Sequence, residues 1–221
     1  MTFSILARDP DTGAIGGAAA TGSLCVGGWV LRGALDAGLS ASQGAAPSVF
    51  WGEDVLARMA VGMDAEAAVA AVVGADSGRA YRQLSALAPD GGSGVFTGDR
   101  NTPHAGGLRF DTGVVAGNLL ADAAVLDAVR DGFLSTGGAF GARLISALRA
   151  GEAAGSDSRG LLSAALLVLH PESAPLTLRI DHHETDPIGA LDGLYRRATS
   201  GDYADWARQV PTRANPERVL D

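Results

Sequence analysis

The sequence predicts an α+β fold in which two stacked, mainly antiparallel β-sheets lie between helical layers, a four-layer αββα sandwich. The predicted elements come in groups, as strands, a helix pair, strands, a second helix pair, strands and a helix. Single strands do not alternate with single helices, which disfavours a parallel doubly wound sheet. Segments such as LLSAALLVLH are apolar on both faces, so these strands need cover on both sides. Two stacked sheets with helices outside each satisfy that need.

The first two strands are predicted to form a hairpin. Phe3, Ile5 and Ala7 alternate with the other residues of Thr2–Asp9, which is the pattern of a strand. The sequence DPDTG predicts the turn, and Ala14–Thr21 is the partner strand. The apolar segment GLSASQG predicts a further strand beside them.

Helices and strands then follow in pairs. In EDVLARMAVGM the apolar residues fall on one face at helical spacing, and Asp64 is positioned to cap a second helix, AEAAVAAVV. RQLSALAPDGGSGVFTG predicts a strand, a turn and a strand, and DTGVVAGNLL predicts another strand. Two more helices are expected next, of which the second ends at Gly151 or Gly155.

The last part of the chain combines strands with a final helix. LLSAALLVLH predicts a buried strand, and PLTLRIDHH predicts a strand with alternating apolar residues. A helix is expected from about Asp186 to Arg197. With 221 residues, 47% of them hydrophobic, the chain is predicted to form a single domain over 1–221, of which 198–221 is a C-terminal extension.

The composition argues against several classes of function. A formal net charge of −8 disfavours nucleic acid and anionic membranes as partners. All 17 basic residues are arginines, which excludes a lysine base. Cys25 is the only cysteine, so a reducing compartment is expected and no internal disulfide. The sequence shows no signal peptide and no apolar run of about 20 residues, so a cytoplasmic protein without a membrane partner is predicted.

Thr2 follows the initiator methionine and opens the first predicted strand. A threonine hydroxyl attacks a carbonyl only when a base takes its proton. Removal of Met1 exposes an α-amine, whose ordinary pKa of about 7.7–8.0 makes it such a base on the same residue. Thr2 is therefore a candidate N-terminal nucleophile. The alternative is a Met-Thr start without consequence, as in many proteins.

Three further polar residues lie in glycine-rich surroundings. Asn118, near the end of an apolar strand, is a candidate donor to an oxyanion, and its alternative role is to end the strand or cap a helix. Asp157 and Arg159 lie in AGEAAGSDSRG, a predicted turn between a helix and a strand. There an aspartate can orient an ammonium group and an arginine can bind a substrate carboxylate. Their alternative is a salt bridge with each other.

The segment RIDHHETD has the residue types of a metal site but not the geometry. Adjacent histidines in a strand point to opposite faces, so His182 and His183 do not easily bind one ion. The other histidines lie far away in the sequence, with His104 in a predicted loop and His170 at a strand end. We therefore expect no metal and no other cofactor. Cys25 lacks a charged neighbour that would lower its pKa, and an inert cysteine is expected.

Several motifs together resemble one known family. TFSILARDPDTGAIGGA, RQLSALAPDGG, ALRAGEAAGSDSRG, SAALLVL and LRIDHHETDPI occur in this order and resemble the bacterial and archaeal family called domain of unknown function 1028. The resemblance runs from Thr2 to about Leu194. That family is similar in fold to the N-terminal-nucleophile (Ntn) hydrolases, whose active members are amidohydrolases. The resemblance therefore implies an Ntn hydrolase-like αββα sandwich.

The resemblance also implies roles for individual residues. Thr2 matches the family's threonine behind the initiator, and Asn118 matches its Gly-Asn strand end. Asp157 and Arg159 match its Asp-Arg-Arg-Gly turn, in which Ser158 here replaces the first arginine. Thr2, Asn118 and Asp157 are the expected catalytic residues. The residues expected to bind substrate are Arg159, Gln43 and Asp181.

The leading hypothesis is an Ntn amidohydrolase that acts on a small amide or peptide-like substrate. The alternative is a non-catalytic binding or structural protein that keeps the fold, as departures such as Ser158 suggest. A metal hydrolase built on Asp181 to His183 is a third, more distant hypothesis. Apolar strand edges and helical faces make a homodimer an additional expectation.

Overall fold

A computed structural model describes residues 2–155 and 160–220 of the protein. These residues fold into two antiparallel sheets and a set of helices. The strands of the large sheet are β1 (Thr2–Arg8), β2 (Ile15–Thr21), β7 (His104–Phe110), β8 (Gly113–Leu120), β9 (Ser163–Leu169) and β10 (Leu176–Ile180). The small sheet contains β3 (Leu31–Ala34), β4 (Gly38–Gly44), β5 (Arg82–Leu87) and β6 (Ser93–Thr97). The strand orders are β10-β9-β2-β1-β8-β7 and β3-β4-β5-β6, so β1 lies in the interior of the large sheet.

Seven α-helices are present in the described residues. They are α1 (Val26–Trp29), α2 (Val49–Ala60), α3 (Ala65–Gly74), α4 (Ala124–Ser135), α5 (Phe140–Ala153), α6 (Pro187–Ala198) and α7 (Gly201–Ala207). None of the helices in the described part of the chain is both long and apolar enough to span a lipid bilayer.

The helices cover the sheets through separate apolar clusters. One face of the large sheet packs on α4, α5 and α6, with Phe3 and Leu148 among the buried contacts. Its other face meets the small sheet, where Leu6 and Leu39 share a second cluster. The opposite face of the small sheet packs on α2 and α3, with Leu84 in a third cluster. The mixed α+β fold with two antiparallel sheets is thus confirmed.

Most predicted elements are confirmed, but the GLSASQG strand, β4, pairs within the small sheet and not beside the N-terminal hairpin, and several short elements were missed. The N-terminal hairpin, the helix capped by Asp64 and the helix that begins after Asp186 all form as expected. The helix expected to end at Gly151 or Gly155 ends between them, at Ala153. The placement of His104 in a loop was wrong, because His104 is the first residue of β7. The remaining elements that the sequence did not indicate are α1, β3 and α7.

Candidate functional site

The space between the two sheets is apolar over most of its length and polar at one end. On β1, Phe3 and Ile5 pack against the helices, whereas Leu6 packs against the small sheet. Because side chains alternate along a strand, Ser4 and Thr2 lie on the same face as Leu6. The strand that carries Thr2 therefore presents its hydroxyl residues to the space between the sheets.

Thr2 lies between two polar residues of the neighbouring strands. It is opposite Thr21 of β2 on one side and opposite Asn118 of β8 on the other. The oxygens Thr2 Oγ1 and Thr21 Oγ1 are 3.0 Å apart, which is hydrogen-bond distance. Asn118 is fully buried, whereas Thr2 is half-buried. Thr2 thus marks the boundary between the buried polar residues and the outside.

Thr2 and Thr21 line a cavity of about 380 Å³. This volume lies within the range of small-molecule sites. Most of the remaining wall is apolar, and none of its described residues carries an ionisable carboxylate, imidazole or guanidinium. The other residues of the wall are Ser23, Leu24, Val26, Trp29, Val30, Gln43, Gly44, Ala45 and Pro47.

Gln83 on β5 connects the cavity to the large sheet through a buried amide network. Its Nε2 donates to the main-chain oxygens of Gly106 (2.9 Å) and Gly117 (2.8 Å). Its Oε1 accepts from Gln43 Nε2 at 2.7 Å and from Asn118 Nδ2 at 3.2 Å. Main-chain oxygens only accept, so they fix which end of the Gln83 amide is the nitrogen. Gln43 and Asn118 must then both direct an amide nitrogen towards Gln83.

This orientation leaves acceptor oxygens without a partner among the described residues. Gln43 Oε1 and Asn118 Oδ1 are both buried and unpaired there, as are the hydroxyl oxygens of Ser4 and Ser85. A buried polar atom without a hydrogen bond costs about 1–3 kcal/mol. Such atoms are uncommon in folded proteins and are expected where a ligand or a bound water supplies the missing partner.

Two strained residues flank the site. Cys25, which precedes α1, has φ 62°, and Leu119, which follows Asn118, has φ 54°. Within residues 2–155 and 160–220 these are the non-glycine residues with positive φ. The left-handed region costs a non-glycine residue about 1–2 kcal/mol. Strained backbone of this kind is concentrated at functional sites.

Asn101 holds the loops behind the cavity. Its Oδ1 accepts from the main-chain nitrogen of Ala45 at 2.8 Å, and its Nδ2 donates to the oxygen of Gly98 at 2.9 Å. Its main-chain oxygen also accepts from the nitrogen of Leu119 at 3.2 Å. One buried residue thereby connects the cavity wall, through its side chain, to the strained end of β8, through its main-chain oxygen.

The structure brings some of the predicted site residues together. Thr2 and Gln43 line the cavity, and Asn118 lies behind them in the amide network. Asp181 is not among the residues that line this cavity, and its carboxylate pairs with Arg179, with Nη2 and Oδ1 2.9 Å apart. The predicted positions Asp157 and Arg159 lie outside the described residues.

In the segment RIDHHETD, His183 and Asp186 make hydrogen bonds that hold the start of α6. His183 Nδ1 accepts from the main-chain nitrogens of Asp186 (2.9 Å) and Thr185 (3.3 Å), so this nitrogen is occupied. Asp186 in turn accepts from the nitrogen of Gly189 and caps α6. Across residues 2–155 and 160–220, no group of three His, Cys, Asp or Glu side chains is arranged to hold a metal ion.

Thr21, Gln83 and Asn101 are site residues that the sequence analysis missed. Thr21 and Gln83 each lie on a strand at a position that shares its face with apolar residues. A polar residue at such a position is the available signal, since the alternation otherwise predicts an apolar side chain. Asn101 lies in a loop, and no periodic pattern marks it.

Comparison with known proteins identifies a family and a similar solved structure. A family described as a family of unknown function, DUF1028, matches residues 2–191. The crystal structure of the DUF1028 protein SPO2555 from Silicibacter pomeroyi is 59% identical in sequence, with a TM-score of 0.97. The match covers 100% of this chain and 96% of that one. The curated proteins compared with the chain include no match.

Proposed function

The chain belongs to the family of unknown function DUF1028, and we propose that it is an N-terminal-nucleophile amidohydrolase whose nucleophile is Thr2. The observation that supports this proposal most directly is the position of Thr2. It is the first residue of an interior strand, it lines a cavity of about 380 Å³, and its hydroxyl contacts that of Thr21. Once Met1 is removed, the hydroxyl and a free amine belong to one residue at the edge of this cavity.

The proposed fold assignment rests on how the elements pack. The large sheet contacts helices on one face and the small sheet on the other, and the small sheet contacts α2 and α3 on its far side. We assign this packing to a four-layer αββα sandwich of the Ntn hydrolase type. An N-terminal nucleophile in such a fold has to begin a strand, and this proposal is supported by Thr2, which is the first residue of β1 and lies on the face of the large sheet that is directed towards the small sheet.

The proposed reaction needs no base other than the amine of Thr2. The amine takes the proton as Thr2 Oγ1 attacks the amide carbonyl carbon, and a tetrahedral intermediate forms. The C–N bond breaks as the ammonium returns the proton to the leaving nitrogen, which leaves an ester on Thr2. Water then attacks this ester, and the same amine accepts one proton and delivers it to Oγ1. The products are a carboxylic acid and an amine.

Asn118 has two uses in this mechanism. Its unpaired Oδ1 is an acceptor on the strand position opposite Thr2, which suits it to orient the amine. Donation to an oxyanion, as predicted from the sequence, depends on the second hydrogen of Nδ2, since the first is bound to Gln83. Asp157 and Arg159 keep their proposed roles of orienting the amine and binding an anionic group on the substrate.

The proposal is tested first by mass and then by activity. Intact-mass analysis of protein from its native host is expected to show loss of Met1. That protein is screened for hydrolysis of small amides, together with Thr2→Ala and Thr2→Ser. We expect Thr2→Ala to abolish the activity and Thr2→Ser, which keeps a hydroxyl, to retain part of it. Uniform retention of Met1, or equal activity of Thr2→Ala, would rule out this mechanism.

A non-catalytic binding protein is the second candidate. The unpaired acceptors Gln43 Oε1 and Asn118 Oδ1 favour it, because a ligand can satisfy them without any reaction at Thr2. In that case ligand binding persists in Thr2→Ala and no amide is hydrolysed by any variant. Hydrolysis that disappears in Thr2→Ala excludes this candidate.

A further inference from the structure

We propose that Gln43 Oε1 recognises the substrate by accepting a hydrogen bond from the N–H of a neutral carboxamide that carries an apolar group. This inference rests on the proposed function, because it concerns the same cavity and names the class of substrate. Gln43 lines the cavity, is 1% exposed, and has an oxygen without a partner in the described part of the protein.

The amide network determines the chemical character of Gln43 at the cavity. Gln83 Nε2 is held by the carbonyls of Gly106 and Gly117, so Gln83 Oε1 must face Gln43. The contact at 2.7 Å then has to be a donation from Gln43 Nε2. A reversed Gln43 would place two oxygens against each other at that distance. Because Gln43 lines the cavity, the amide atom that it has left for a ligand is the unpaired acceptor oxygen, and the network keeps the nitrogen engaged.

An acceptor requires a donor on the ligand, and the wall indicates that this donor is uncharged. Gln43 Oε1 can accept a hydrogen bond from either an amide N–H or an ammonium group. A buried ammonium needs a carboxylate partner, because desolvation of an unpaired charge costs far more than one neutral hydrogen bond returns. The described residues of the cavity wall include no Asp and no Glu. A neutral amide meets the requirement without this penalty.

The rest of the wall indicates an apolar substituent next to that amide. Leu24, Val26, Trp29, Val30 and Pro47 supply its apolar surface. Trp29 is 51% exposed and Leu24 is 54% exposed, so the mouth of the cavity presents large apolar side chains to solvent. An aromatic or branched aliphatic group covers these side chains and removes apolar area from water.

The test compares three probes of similar size on Thr2→Ala protein whose Met1 has been removed, so that no turnover interferes. Benzamide offers an amide NH₂, acetophenone replaces this NH₂ with a methyl group, and benzylamine offers an ammonium. Binding is measured by ligand-observed NMR titration. We expect benzamide to bind about tenfold more tightly than acetophenone, because acetophenone leaves Gln43 Oε1 unpaired. Benzylamine is expected to bind no more tightly than acetophenone.

Two variants then test whether the preference for benzamide over acetophenone depends on Gln43 Oε1. Gln43→Met has a similar length and lacks the amide, and it is expected to bind benzamide only as well as acetophenone. Leu24→Met is the matched control, since it alters the wall and keeps the acceptor, so both probes are expected to change together. The probe comparison with Gln43 intact does not depend on the folding of Gln43→Met.

Different results separate this inference from the proposed function. Equal binding of benzamide and acetophenone, tightest binding of benzylamine, or no binding of any probe overturns the inference. If the protein with Thr2 intact hydrolyses amides while the probes show no preference, the proposed amidohydrolase function is supported and the proposed role of Gln43 is wrong. If benzamide is preferred and the protein with Thr2 intact hydrolyses no amide, the proposed role of Gln43 is supported and the proposed amidohydrolase function is wrong.

Discussion

Replacement of Gln83 by methionine tests whether the buried amide network holds the site. Methionine has nearly the same length and volume, so the change removes hydrogen bonds and leaves the packing largely as it is. It leaves Gln43 Nε2 and Asn118 Nδ2 without the oxygen they share. It also removes one donor from the oxygens of Gly106 and Gly117, which are 2.9 and 2.8 Å from Gln83 Nε2.

The expected loss of stability follows from the two amide nitrogens that are left without a hydrogen-bond acceptor. Gln83, Gln43 and Asn118 are each no more than 1% exposed, so water does not readily replace the lost partner. A buried donor without a partner costs about 1–3 kcal/mol, so the two together predict a loss of about 2–6 kcal/mol in the free energy of unfolding. A domain of ordinary stability has only about 5–15 kcal/mol in total.

Urea denaturation, followed by circular dichroism and by tryptophan fluorescence, measures this loss as a lower midpoint at unchanged slope. Leu84→Met is the matched control, because Leu84 is the next residue on β5, is fully buried and faces the opposite layer. This control is expected to cost less than about 1.5 kcal/mol. A loss for Gln83→Met of less than about 1 kcal/mol, or one equal to the control, would contradict the network described here.

Other predictions concern parts of the chain away from the cavity. The hydrogen bond from Arg149 holds the pKa of Asp186 below its ordinary value of 3.8, so this pair stabilises the fold above that pH and the stabilisation is lost as the pH falls through the lowered pKa. Asp186→Asn keeps the side-chain cap of α6 but loses the half-exposed ion pair with Arg149. Urea denaturation should therefore show this variant to be less stable than the parent by about 0.5–1 kcal/mol at pH 7 and equally stable at low pH. Gly38→Ala should lower the free energy of unfolding by more than about 2 kcal/mol, because Gly38 has φ 102° and a Cβ would overlap the main-chain oxygen of Leu87. Gly74→Ala, at a helical position with open space, should raise it by about 0.5–1 kcal/mol, and a loss there would contradict this reasoning.

Elements with a strong local pattern could be predicted from the sequence. The helix after Asp64 is one case, since a capping carboxylate precedes an apolar alanine-rich run and accepts from the nitrogen of Ala67 at 2.9 Å. Strand β7 is the opposite case. Its sequence, HAGGLRF, contains two glycines and lies at the edge of the large sheet, so no apolar alternation marks it. It forms because β8 offers it a pairing partner, and a single segment of sequence does not show that.

The candidate site shows the same division between local and tertiary information. Thr2 could be singled out from its position in the sequence, and Asn118 from the end of an apolar strand. Their proximity requires β1 and β8 to be neighbours, although they are about a hundred residues apart in sequence. Gln83 adds a further requirement, because it reaches Asn118 only across the space between the two sheets. The stacking of one sheet on another depends on the whole core, so local patterns do not reveal this contact.

The described ionisable groups with a perturbed pKa lie away from the cavity. The described groups with a shifted pKa lie on or beside α4, α5 and α6, where ion pairs and burial cause the shifts: Arg130, Asp131, Arg149, Asp186 and Tyr195. Most enzymes that use a hydroxyl nucleophile place a separate base beside it, and such a base usually has a perturbed pKa. A nucleophile that carries its own amine needs no second ionisable side chain. An uncharged described wall around Thr2 is therefore compatible with the chemistry that we propose.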